Sequence, residues 1–259
     1  IEWELCRALE KLGTDSSKSE TERSQALNQA LTHARALSRT SGEFKAPSQA
    51  LVQRLMRSLN RNADEPTDFE SAYGMATQLA EDIEQLRQQI VVAQQDGQLA
   101  EAKSKQNDLI QSAGKMAKLC DYALRKAKQT TEQADLHRAS VLLAYGYLLE
   151  EKYLEAAAVG EFTLRSFAEK SPDNAKNGGL LAMSAFNTAY KRAEKGHREF
   201  ESRKLIEIAT RMDQQFPDSD QANEARIAAA VVFWDERKLD SAAQWWDKVP
   251  AGTAHYAGA

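Results

Sequence analysis

Proline and glycine are scarce in this 259-residue chain. It holds five prolines and twelve glycines, about half the roughly 12% that the two residues usually make up together. Few breakers beside many Ala, Leu, Glu, Gln, Lys and Arg residues leave little room for strands and point to an all-α protein. Cysteine is nearly missing as well. Cys6 and Cys120 are the only two, far apart, with no CxxC partner and no nearby His, which argues against a disulfide framework or a zinc site. There is no run of 18 apolar residues and the mean hydropathy is −0.60, so no segment of this stretch is expected to insert in a membrane. Nor is there an excess of positive charge. With 34 basic against 38 acidic residues the net charge is −4, which disfavours general nucleic-acid binding, since that needs a net basic face. What is present suffices for a packed core: 42% of residues are hydrophobic, which excludes wholesale disorder.

Helical periodicity runs nearly end to end. Trp3, Leu5, Leu9 and Leu12 carry a first helix that Gly13-Thr14-Asp15 closes. Leu27, Ala30, Leu31, Ala34 and Leu37 carry a second, ending near Ser41-Gly42. A third starts around Pro47, where a first-turn proline costs no hydrogen bond, and buries Leu51, Leu55, Met56 and Leu59. A polar loop from Asn60 to Pro66 follows. Thr67-Asp68-Phe69-Glu70 then predicts a capping box, with Thr67 covering the third amide and Glu70 reaching back.

Phe69, Ala72, Ala76, Leu79, Ile83, Leu86, Ile90 and Ala93 alternate steps of three and four, a heptad seam. Asp96-Gly97 breaks it, and Leu99, Ala102, Gln106, Leu109, Ala113, Met116, Cys120, Ala123 and Ala127 resume it. A tight turn makes the two arms adjacent and antiparallel. Folding them about Gly97 pairs Ala93 with Leu99, Leu86 with Gln106, Ile83 with Leu109, and Ala72 with Cys120. The expectation is a long helical hairpin with arms of about 40–45 Å, in which Cys120 is a buried, inert thiol. Shorter helices follow at 133–150, 152–170, 177–195, 198–215, 220–236 and 239–248, with breaks at Ser171-Pro172-Asp173-Asn174, Lys195-Gly196 and Phe216-Pro217-Asp218-Ser219. The chain therefore divides into N-terminal helical pairs (1–66), the long hairpin (67–130) and further helical pairs (131–259). It opens on Ile1 without Met and closes without a terminator after His255-Tyr256, so it reads as a piece of a longer protein.

Three turns share one grammar, in which a large residue after a polar break is followed three residues later by Ala: Leu99 with Ala102, Tyr153 with Ala156, and Leu239 with Ala242. The large residue is expected to pack back on the preceding helix while Ala lets the pair approach closely. This resembles the tetratricopeptide repeat, a helix–turn–helix unit with small and large residues at fixed offsets. In the unit 137–172, Leu143 and Ala144 stand where the family has Leu-Gly, Tyr147 takes the next large position, and Tyr153 and Ala156 follow the turn. Near 223–256, Ala229, Ala230, Phe233, Leu239, Ala242, Trp246 and Pro250 repeat the scheme. The stretch from Phe216 to Ala225 is similar to the inter-repeat junction of bacterial cell-envelope repeat proteins, the outer-membrane assembly lipoproteins and the coordinators of the Tol–Pal system.

The resemblance implies an all-α fold, a right-handed α–α superhelix of tetratricopeptide-like helical pairs with one long antiparallel hairpin. It implies inner-face positions at Arg138, Val141, Tyr145 and Leu148, and again at Glu224, Ile227, Val231 and Trp234. The family's carboxylate clamps use Lys and Asn there, whereas apolar and aromatic residues stand here, so the expected partner surface is an apolar or aromatic groove. Arg138, Tyr145, Glu224 and Trp234 are the candidate contacts, with the two aromatics as anchors. Trp245 and Trp246 are adjacent and cannot share a face; one is expected on the core and the other against a following repeat.

Signals for bond-making chemistry are missing. Gly178-Gly179 lacks the flanks of a phosphate loop, and no Gly-x-Ser-x-Gly elbow occurs. His33, His137, His197 and His255 are isolated, as surface or capping histidines would be. Two basic stretches stand out, Arg54-Arg57-Arg61 along one helical face and the turn Lys191-Arg192-Lys195-His197-Arg198-Arg203-Lys204. Glu194, Glu199 and Glu201 interleave with the second, which points to a solvated, ion-paired turn. The expected function is a non-enzymatic scaffold that binds a partner protein or peptide, without cofactor, metal, nucleic acid or membrane insertion. Two alternatives remain: a spacer or regulatory region of a larger enzyme or secretion or envelope component, and an RNA-binding helical repeat. Compartment, whether cell envelope or cytoplasm, and oligomeric state stay open.

Overall fold

The computed structural model describes residues 1–38, 40, 42–58, 66–194 and 196–251, the side chains of Gln53 and Arg57 apart. Among these there is no strand, and eleven helices follow one another: α1 (Glu2–Thr14), α2 (Glu20–Ser38), α3 (Lys45–Ser58), α4 (Phe69–Gln95), α5 (Leu99–Lys126), α6 (Gln133–Leu149), α7 (Tyr153–Phe167), α8 (Pro172–Arg192), α9 (Glu199–Gln215), α10 (Asp220–Asp235) and α11 (Leu239–Trp246). Each packs mainly on its neighbours in sequence, so the chain is an all-α superhelix of consecutive helical pairs. Contacts between α4 and α6, α6 and α8, and α8 and α10 join the first helices of successive pairs into one layer. The expected loop from Asn60, the Leu59 contact, Arg61, Lys195 and His255 lie outside the described residues.

Local chemistry explains the boundaries. The cap of α4 falls one residue later than the sequence pattern suggests. Asp68 Oδ1 accepts the Ser71 amide at 2.9 Å, and Ser71 Oγ accepts the Asp68 and Thr67 amides at 3.2 and 3.1 Å. The box is thus Asp68 with Ser71, not Thr67 with Glu70; a short hydroxyl reaches back as well as a carboxylate does. Helix α8 begins at Pro172, five residues before the expected start. Proline at the first helical position lacks only an amide that would be orphaned anyway.

The three turns of common grammar are built alike. Gly97, Glu151 and Arg237 sit in the left-handed region at φ 74°, 61° and 63°. The next amides, of Gln98, Lys152 and Lys238, donate to the carbonyls of Ala93, Tyr147 and Phe233 at 2.8, 2.9 and 2.9 Å. This six-to-one bond closes the helix end and aims the chain back along it. Ala102, Ala156 and Ala242 are buried as expected, but Leu99 and Leu239 are not: they are 72% and 52% exposed. Of the three large residues only Tyr153 packs back as expected, half-buried against the core; at the other two turns close approach comes from the alanine. Glycine takes the left-handed conformation without the Cβ clash that other residues suffer. Gly97→Ala is therefore expected to lower stability by about 1 kcal/mol and Arg237→Gly to raise it by about 0.5–1 kcal/mol. Opposite shifts of the urea midpoint at unchanged slope check this.

The hairpin seam is buried at Phe69, Ala72, Ala76, Ile83, Ile90, Ala93, Ala102, Leu109, Ala113, Met116 and Cys120. Gln106, assigned to the seam by spacing, is exposed. The end of α6 meets α5 at Gly114, where an added Cβ would lie 2.7 Å from Glu150 Oε1. Beyond that level α5 continues to Leu99, so the hairpin overhangs α6 by about 20 Å at 1.5 Å per residue.

Candidate functional site

The candidate site is a cleft of about 660 Å³ where the end of α8, the start of α9 and the end of α10 converge. Tyr190, Arg198, Glu199, Trp234, Asp235 and Arg237 are among its lining residues. Trp234 is half exposed on the wall, and its ring rests 5.6 Å from that of Trp246 on α11. The other side is fixed by Arg198, whose guanidinium lies 4.9 Å over the buried Tyr190 ring while its Nε donates to the Ala193 carbonyl at 2.9 Å. Burial pushes the Tyr190 phenol up, so it stays protonated. Glu236 at the base accepts from Ser202 and, at 2.8 Å, from Lys238. Burial opposes its ionisation, but those hydrogen bonds outweigh it and hold the carboxyl below its usual range. The cleft thus presents one aromatic face between charged walls.

The four residues singled out from sequence do not form one site. Tyr145 and Arg138 lie on α6, Glu224 and Trp234 on α10, and α8 packs between those helices. Glu224 is in the second turn of α10 and Trp234 in the last, about 15 Å apart along the axis. Arg138 and Glu224 are exposed. Tyr145 is half buried against the hairpin core, and Arg87 Nη1 donates to its hydroxyl at 3.1 Å. It is a strut between α4 and α6 rather than an open anchor. Of the adjacent tryptophans, Trp245 packs on the large core of α6–α10, beneath Lys248 at 4.1 Å, and Trp246 backs Trp234.

The basic turn is paired internally in part. Arg192 pairs with Glu151 at 3.0 Å and covers the Tyr153 ring, and Lys204 bridges Glu161 and Glu207 at 3.2 and 3.1 Å. Arg54 pairs with Glu10 at 3.1 Å. His137 is a correction. It is no surface histidine but lies 3% exposed, stacked 3.8 Å from Phe167, because it falls on the buried stripe of α6. Burial, with Lys170 nearby, pushes its pKa down. Burial pushes the Cys120 thiol up to about 12, which leaves it unreactive. Among the described residues no group of three His, Cys, Asp or Glu side chains is placed to hold a metal, and no helix is long and apolar enough to cross a membrane.

One surface escaped the sequence reading. At the hairpin tip Val91, Val92 and Leu99 stand exposed together beyond the reach of α6. The adjacent pair Val91-Val92, off the three–four rhythm, was the available signal. The chain matches no family model, and no curated protein matches it either.

Proposed function

We infer that the chain is a non-catalytic scaffold of tetratricopeptide-like helical pairs that captures a partner protein or peptide. The observation that carries this reading is Trp234, half exposed on the wall of a 660 Å³ cleft and held from behind by Trp246. A large aromatic that is rigid before binding loses little entropy on contact, which is why such residues dominate interface energetics. The ion pairs of Arg192 and Lys204 support a protein ligand over RNA, since paired cations release few counterions. The hairpin overhang favours a second reading, a spacer or regulatory region of a larger enzyme or envelope component.

Capture from an extract of the source cells by the immobilised chain tests the first reading. Trp234→Ala is expected to weaken capture of the recovered partner by about tenfold or more, and Tyr145→Ala far less, because Tyr145 is committed to Arg87. Unchanged capture by Trp234→Ala with an unchanged helical circular-dichroism signal removes the cleft from the binding surface.

A further inference from the structure

Helices α1–α3 enclose a core of their own around Cys6, Leu27, Leu31, Leu51, Leu55 and Met56. It shares no residue with the neighbouring core at the hairpin base, built on Phe69, Ala72, Tyr73, Ala123 and Ala139. Between the two lies a cleft of about 360 Å³, with Lys45 and Gln49 on one wall and Phe69, Tyr73, Glu132 and Asp135 on the other. Where α3 does approach α4, at Gln49 and Gly74, the contact is an ordinary one, with an added Cβ 3.8 Å from Gln49 Cβ. Small, polar contacts of this kind between separately cored units leave relative motion as the default. A strong connection spans the gap. Lys45, at the start of α3, places Nζ 2.6 Å from Glu132 Oε2 and 2.5 Å from Asp135 Oδ2 at the start of α6. Its side chain is 19% exposed, so solvent and salt weaken the pair less than they would on an open surface.

We propose that helices α1–α3 form a movable unit, and that Lys45, clamped between Glu132 and Asp135, is the latch that holds it against the rest of the superhelix. Closed, the unit covers the stacked Phe69 and Tyr73 rings, 5.4 Å apart and almost wholly buried. Open, it presents that aromatic pair and the four carboxylates of Asp68, Glu70, Glu132 and Asp135 to solvent. The latch sits far from the Trp234 cleft and stands or falls independently of it.

Spin labels at Gln25→Cys and Lys103→Cys, both exposed positions, read the separation of the two units in the whole chain; Cys6 and Cys120 are buried and do not compete for label. The unmutated latch gives one narrow distance. Lys45→Met, and separately Glu132→Gln with Asp135→Asn, each add a second, longer distance while the helical signal is unchanged. Lys45→Glu combined with Glu132→Lys and Asp135→Lys restores the single distance. A single native distance in both neutralised variants overturns the proposal, and so does failure of the reversed triple variant to restore it. Loss of helical signal in either neutralised variant overturns it too, because a latch between separately cored units is dispensable to the fold of each.

Discussion

Replacing Gly160 by alanine is expected to destabilise the protein by about 1–3 kcal/mol, although alanine is the better helix former by about 1 kcal/mol. Helices α7 and α8 cross here with their backbones almost touching. A Cβ on Gly160 would lie 2.5 Å from the Gly178 carbonyl oxygen and 2.9 Å from the Ala182 amide. Neither is the movable end of a side chain, so the helices must separate and open the core that Leu164, Met183 and Met212 share. Gly178 faces the same contact, with Thr163 Cβ 2.7 Å from its added Cβ. Gly160→Ala and Gly178→Ala together should cost less than the sum of the two, since the first already parts the helices. Gly74→Ala is the control. It is also a helix-interior glycine, but its Cβ would meet Gln49 at an ordinary 3.8 Å, so about 0.5–1 kcal/mol of stabilisation is expected. Urea unfolding of the three single variants checks the sign; equal signs for Gly160→Ala and Gly74→Ala would refute the close-crossing argument.

Arg226→Met is expected to cost about 3 kcal/mol. Arg226 is 6% exposed and donates to Asp213 Oδ1 at 2.7 Å, Asn223 Oδ1 at 2.5 Å and the Pro217 carbonyl at 2.8 Å. It ties the end of α9, the turn after it and the start of α10 into one unit. Lys248 closes the network on Asp213 Oδ2 at 2.7 Å from beyond α11. Methionine fills the volume but leaves buried acceptors without a donor, the expensive way to break such a network. Burial raises the Asp213 pKa, yet the hydrogen bonds from Lys248 and Arg226 outweigh it and hold the carboxyl below its ordinary range. A depressed folded pKa stabilises the fold above the unfolded value of about 3.9 and loses that contribution as pH falls through the folded value. The gap in stability between the native chain and Arg226→Met should therefore be full near pH 6 and shrink as pH falls below 4. A gap that stays constant down to pH 2 would show that Asp213 is not coupled to Arg226.

Much of this architecture was legible in local order. The turn at Gly97 follows from a glycine between two heptad seams, and the buried alanines at 102, 156 and 242 follow from a repeated spacing. Glu151 and Arg237 in left-handed turns were not legible, because nothing in a charged side chain announces a positive φ; only the sequence parallel with Gly97 hinted at it. The burial of Arg226 was not legible, because its partners, Asp213 and the Pro217 carbonyl, lie thirteen and nine positions away and meet it only when α9 and α10 pack. Tyr145 and Val231 occupy matching positions in the expected repeat scheme, yet one is tied to Arg87 and the other stands exposed. Equal position in a repeat does not give equal surroundings when the neighbouring pair differs in length.

The sequence by itself determined that this chain is helical, that its helices come in antiparallel pairs and that one pair is long. Those properties depend on turn residues and on three- and four-residue steps, which act within a few ångströms of the backbone. The tertiary structure decided which apolar residues stay uncovered. Val91, Val92 and Leu99 are bare because α6 ends some 20 Å short of the hairpin tip, and Trp234 because its ring faces a cleft with Trp246 behind it. Coverage is a property of distant helices and their lengths, and no spacing along a single helix encodes it.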